Sequence, residues 1–171
     1  MTQTDRLDSD ALLARLDALG IRHTTLQHAP VFTVEESRSV RGRLPGAHVK
    51  NLFLRDKKRR MWLLTALEHR AIDLKDIRRR IGAAGSPSFG SPDLLMQMLG
   101  VEPGSVTPFG VINDRAGAVT MLLDKGVLDH DPVHAHPLRN DMTTAVSPGD
   151  LLRFLAAENH APELIDFDAP A

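Results

Sequence analysis

Two apolar runs separated by a short charged connection limit what this chain can fold into. His48-Val49-Lys50-Asn51-Leu52-Phe53-Leu54 and Met61-Trp62-Leu63-Leu64-Thr65 flank the polar segment Arg55-Asp56-Lys57-Lys58-Arg59-Arg60. Runs of this length around a charged turn predict a β-hairpin. A hairpin commits the middle of the chain to antiparallel pairing, and the remaining elements must pack on that sheet. The first run also carries Lys50 near its start. Desolvating an ammonium is costly, so lysine is seldom buried without a partner or a task. Either Lys50 snorkels to solvent with its stem on apolar neighbours, or it lines a pocket and contacts a phosphate or a carbonyl.

The other elements follow from caps and periodicity. Asp8-Ser9-Asp10 supplies N-caps for Leu12, Leu13, Leu16 and Leu19 at helical spacing, and Gly20 ends that helix. Ile21 to His28 reads as a strand. Thr33 and Glu36 match a capping box, so a short helix is expected to about Val40, followed by the basic loop Arg41 to Gly46. Asp73 to Ile81 forms a helix, and Ser91-Pro92 opens another that Gly100 stops. Phe109 to Asn113 and Val119 to Leu123 read as paired strands around Asp114-Arg115-Ala116-Gly117. Met142 to Val146 is a strand, Ser147 to Asp150 caps a final helix, and Glu163 to Phe167 returns to the sheet. Asp168 to Ala171 are expected to be loose. The whole is a single α/β (α+β) domain over residues 1–171, with a mixed, mainly antiparallel sheet flanked by helices.

Several chemistries drop out. The chain has no cysteine, so thiolate catalysis and disulfides are excluded. No glycine-rich phosphate loop and no Gly-x-Ser-x-Gly elbow occur. No apolar run is long enough to span a bilayer and the N-terminus lacks a signal-peptide pattern, which fits a cytoplasmic protein. His130, His134 and His136 share one parity, but Pro132 and Pro137 interrupt the strand that would align them on a metal. No metal or other cofactor is expected. The net charge of −1 conceals an asymmetry: Arg38 to Arg80 holds 14 Lys and Arg against 4 Asp and Glu. Either that segment presents a basic face to a polyanion, or acidic flanks fold over it. Gly104-Ser105-Val106-Thr107-Pro108 is either an ordinary turn or a loop whose backbone N–H groups bind an oxyanion or a sugar hydroxyl.

Four blocks together resemble a known family. They are His28-Ala29-Pro30-Val31-Phe32-Thr33-Val34-Glu35-Glu36, Lys50-Asn51-Leu52-Phe53-Leu54, the Gly-x-x-x-Pro loop Gly104 to Pro108, and His136-Pro137-Leu138-Arg139-Asn140-Asp141. In this order, across nearly the whole chain, they resemble the bacterial prolyl-tRNA editing domains of the YbaK/ProX superfamily, free-standing relatives of the insertion domain of prolyl-tRNA synthetase. The last two blocks are most similar to the branch that clears alanine from mischarged tRNA(Pro). The resemblance implies a trans-acting deacylase for Ala-tRNA(Pro), with Lys50 as the essential lysine; beside it, Asn51 is expected to support the lysine or the ester. It implies that Gly104, Ser105, Val106, Thr107 and Pro108 hold the terminal adenosine, and that His136 lines the pocket. The partners implied are the acceptor end of tRNA(Pro) and, through it, prolyl-tRNA synthetase. Arg41, Arg43, Arg55 and Arg60 are the candidates for gripping the acceptor stem. Two rivals are a sister enzyme acting on Cys-tRNA(Pro) or another small aminoacyl ester, and a non-catalytic nucleic-acid-binding module.

Overall fold

The structure, a computed structural model, describes residues 5–30 and 44–171. The helix expected over Thr33 to Val40, and with it Arg41 and Arg43, lie outside the described residues. The hairpin forms as the sequence requires. β2 (Ala47–Arg55) pairs antiparallel with β3 (Met61–Leu67), from Val49↔Leu67 to Arg55↔Met61. Around it the described strands assemble into one sheet of order β1-β7-β6-β2-β3-β5-β8, with β4 beside the end of β2. The remaining strands are β1 (Thr24–Gln27), β4 (Ser88–Phe89), β5 (Val119–Asp124), β6 (Val133–Ala135), β7 (Met142–Val146) and β8 (Glu163–Ile165). Four pairings are antiparallel and three, β2 with β6, β3 with β5 and β5 with β8, are parallel. The architecture is thus a single mixed sheet with helices.

Strand alternation divides the core in two. One face of the sheet carries the larger cluster, including Phe53, Leu63 and Leu123, and is covered by α1 (Ser9–Ala18), α3 (Pro92–Leu99) and α4 (Pro148–Ala157) through Leu12, Leu16, Leu95, Leu99, Leu151 and Phe154. The other face carries Leu54, Trp62, Leu64 and Leu122, covered by α2 (Leu74–Ile81) through Ile77. Each helix begins where a side-chain oxygen satisfies an orphan amide: Asp8, Asp73, Ser91 and Ser147 accept from Ala11, Lys75, Leu94 and Asp150. No described helix is long and apolar enough to cross a membrane.

Two expectations are corrected. Phe109 to Asn113 is not a strand but part of a 3-10 helix, Pro108–Asn113. Pro108 brings a φ preset for a helical first turn and lacks the N–H a ladder would need, while the Thr107 hydroxyl accepts from the Phe109 amide. Every residue of that helix is buried, so its unbroken apolar run signalled interior position without a strand period. Freed from a hairpin, β5 pairs parallel with β3. The chain end is also tied down as far as Ala169. The Asp168 carboxylate meets Arg70, and the carbonyls of Asp166 and Ala169 accept from Arg80 at 3.1 and 2.8 Å.

Candidate functional site

The pairing of β2 is interrupted where Lys50 sits. Its outer edge pairs with β6 at Ala47↔Val133 and His48↔His134, and with β4 at Leu54↔Phe89 and Arg55↔Ser88. Between them, Val49 to Leu52 have no strand partner on that edge among the described residues. Past His48↔His134 the two parallel strands part, which opens a gap, or crevice, between β2 and the chain after β6 among the described residues. The junction where β2 and β6 meet requires glycine: a Cβ on Gly46, at φ +113°, would lie 2.1 Å from the Pro132 carbonyl oxygen.

Lys50 is half-buried and does not reach into bulk water. Its Nζ donates to the carbonyl of Arg70, so the amine faces protein rather than solvent. Burial lowers its pKa below the ordinary lysine value. One carbonyl occupies one of three N–H donors, leaving two for a ligand.

The alternation that places Lys50 with Leu52 and Leu54, on the face of the smaller cluster, places Asn51 with Val49 and Phe53 on the other. There the Asn51 side-chain oxygen accepts from the hydroxyl of Thr65, its cross-strand partner, at 2.6 Å. Asn51 therefore sits on the opposite side of the strand from the Lys50 side chain. Parity alone contained that separation.

His136 stands across the crevice. It follows β6 directly and lies two positions beyond His48↔His134, the same offset by which Lys50 follows His48, so the strand period continued past the paired residues assigns it to the Lys50 face. His48 and His134 confirm the shared face, because their rings stack at 4.8 Å and 6°. The His136 Nδ1 donates to the Met142 carbonyl at 2.8 Å. His28, 6.3 Å from the His136 ring, bonds through Nε2 to the hydroxyl of Thr143 at 2.8 Å. Two of the three same-parity histidines thus have separate uses: His134 donates to the Pro45 carbonyl, and His136 holds β7.

Gly104 to Pro108 belongs to the larger-cluster face. Gly104 adopts φ +89°, Val106 packs against that cluster, and Ser105 and Thr107 are buried. The loop therefore groups with Asn51, not with Lys50 and His136. Of the arginines, Arg60 is committed internally. It bonds to the buried Asp56 carboxylate at 2.9 Å, to the Gly82 carbonyl at 2.8 Å, and lies over Trp62 at 5.4 Å. Arg55 is partly exposed at the end of β2. A concavity of about 840 Å³ lies elsewhere, lined among others by Asp17, His23, Asp131 and Asp150, and holds none of these residues.

Sequence reasoning missed Arg70, Asp124 and Asp168, which surround the Lys50 carbonyl partner. One signal was available: Asp124 directly follows the apolar run Met121-Leu122-Leu123 at the end of a strand, where a carboxylate needs a partner.

Comparison with known proteins agrees with this architecture. A family model described as the aminoacyl-tRNA editing domain matches residues 28–154, and so spans every element that frames the crevice. The chain belongs to the aminoacyl-tRNA editing domain family. Among relatives, it is 40% identical over 162 residues to prolyl-tRNA synthetase associated domain-containing protein 1 of Bos taurus, covering 92% of this chain and 94% of that one. It is 37% identical over 157 residues to the prolyl-tRNA editing protein ProX of Acetoanaerobium sticklandii, covering 91% and 95%. The editing fold is also that of a solved structure described as a candidate trans-editing enzyme for prolyl tRNA synthetase, with a TM-score of 0.71 at 19% identity, over 95% and 98% of the two chains. This is an aminoacyl-tRNA editing domain related to ProX.

Proposed function

We propose that this domain hydrolyses mischarged Ala-tRNA(Pro) in trans, with the acylated 3′ end seated at the crevice between β2 and β6. The observation that carries the reading is Lys50. A half-buried amine, fixed by a protein carbonyl at an unpaired stretch of strand two residues past the His48↔His134 pair, has the makings of a working group.

Water attacks the ester carbonyl carbon, the bond to the ribose oxygen breaks, and alanine and uncharged tRNA leave. An aminoacyl ester is already labile, so placing the water and stabilising the oxyanion can suffice. The two remaining N–H groups of Lys50 serve the terminal phosphate or the developing oxyanion. His136 lines the opposite wall. We assign the terminal adenosine to backbone groups of Gly104 to Pro108, which requires the tRNA end to pass round the edge of the sheet from the Lys50 face. Asn51 acts through Thr65 as a support of β2 rather than touching the ester. The synthetase discriminates poorly against an amino acid that merely lacks methylenes, about 1–3 kcal/mol each, whereas a small second pocket excludes the pyrrolidine ring.

Purified protein incubated with Ala-, Cys-, Ser- and Pro-tRNA(Pro) tests this. Release of alanine above the others is the expected result. Preferential release of cysteine would give the site to a sister editing activity. Binding without release of any amino acid would reduce the domain to a tRNA-binding module.

A further inference from the structure

The carbonyl that receives the Lys50 amine belongs to Arg70, whose own side chain is fixed on two sides. Its Nε donates to Asp124 Oδ2 at 2.8 Å, and its Nη1 and Nη2 donate to the two oxygens of Asp168 at 2.8 and 3.3 Å. Asp124 is fully buried and also accepts from the amides of Leu67 and Gly126 at 3.0 and 2.9 Å. The Arg70 amide donates to the Leu67 carbonyl at 3.0 Å, which already closes the local turn. The guanidinium is therefore not needed to make the turn. It ties residue 70 to the end of β5 and to the chain end, where Phe167 lies between Arg70 and Arg80 at 5.7 and 5.2 Å.

We infer that Arg70 is a positioning residue for Lys50: clamped between Asp124 and Asp168, it fixes where its carbonyl stands and thereby where the Lys50 amine stands. The inference rests on the reading of Lys50 as the working cation. A lysine head on a flexible four-carbon stem is poorly placed by its own rotamers, so precision must come from its partner. The planar fork of an arginine meets two carboxylates from fixed directions, one of them through two N–H groups, whereas a lysine at position 70 would offer a single rotating ammonium.

Two readouts test this. One is the pH titration of the Lys50 Cε resonance in ¹³C-lysine-labelled protein, assigned by its loss in Lys50→Arg. The other is the split between kcat and KM for deacylation of Ala-tRNA(Pro). Arg70→Ala keeps the peptide carbonyl but frees it. The expected result is a shifted Lys50 titration and a kcat lowered about tenfold with KM within about twofold. Gly126→Ala keeps every charge, but its Cβ would stand 2.6 Å from Arg70 Nη2 and displace the guanidinium, so both readouts should move the same way. Asp168→Asn, at a side chain 77% exposed, does not endanger folding and should move both by a smaller amount. Arg70→Lys should restore less than half of the lost kcat. If folded Arg70→Ala, or Gly126→Ala and Asp168→Asn where it does not fold, leave the titration and kcat unchanged, the positioning role is wrong. Full turnover in Lys50→Ala would instead overturn the catalytic reading, while the titration still reports whether Arg70 sets the amine.

Discussion

The two ends of the central hairpin use the same device to different ends. At the tip, the buried Asp56 carboxylate accepts from the amides of Lys58, Arg60 and Ala84 and from the Arg60 guanidinium. Burial pushes its pKa up, but the amides of Ala84 and Arg60 and the guanidinium outweigh that and hold it below the ordinary carboxylate value. Arg60 then turns back to Trp62 and the Gly82 carbonyl, so these contacts stay within the hairpin and the loop after α2. At the far end Asp124 likewise accepts two amides and one guanidinium. Arg70, however, passes the constraint on, to Asp168 through its side chain and to Lys50 through its backbone. A buried aspartate–arginine pair is a fixture in both places. It reaches a candidate site where the arginine hands on its position.

Replacing Lys50 by alanine is the sharpest way to break this contrast. Deacylation of Ala-tRNA(Pro) should fall by about 10²-fold or more, with the thermal midpoint little changed. Release of labelled alanine at the wild-type rate would make the far end as inert as the tip. Asp56→Ala should do the reverse, lowering the thermal midpoint by on the order of 5 °C while kcat stays within about twofold. Calorimetry and single-turnover assays on the same sample separate the two.

A third aspartate sharpens the comparison, because its cation titrates. Asp114 accepts from the amides of Ala118 and Val119 at 3.1 and 2.8 Å, and meets His160 Nε2 at 2.9 Å. Burial pushes Asp114 up, but His160 and the two amides hold it below the ordinary value. Asp114 raises the His160 pKa against burial, with help from the Glu158 carbonyl. The raised histidine contributes stability in full below its unfolded pKa, and that is lost as pH rises through the folded value. The lowered aspartate contributes above its unfolded pKa, and that is lost as pH falls through the folded value. The pair therefore helps most between roughly pH 4 and 6.5 and fades as pH rises beyond. Urea midpoints measured across pH should show this slope, and His160→Asn should remove it. The smallest effect belongs to the basic segment. Arg55→Ala should raise KM about threefold and flatten the dependence of log binding on log salt by about 0.7–0.9. Arg60→Ala should leave that slope alone and lower the thermal midpoint instead.

What was legible in the sequence follows from range. The hairpin, the helix caps at Asp8, Ser91 and Ser147, and the oddity of Lys50 are local signals, and the structure contains each of them. The 3-10 helix from Pro108 was hidden because a fully buried run shows no period. The Arg70–Asp124 pair spans 54 residues and the Arg70–Asp168 pair 98, and no spacing rule reaches that far. The crevice, too, depends on β6 meeting β2 at Gly46 and then leaving it, which the sequence marks with a lone glycine.

The parallel pairing of Ala47 with Val133 has a consequence for how the molecule comes into being. A nascent chain can close the central hairpin early, from neighbours alone, yet the wall bearing His136 and the anchors at Asp124 and Asp168 emerge from the ribosome later. The amine is thus made long before its surroundings, and a chain interrupted ahead of β6 would carry the lysine without the cleft that gives it work.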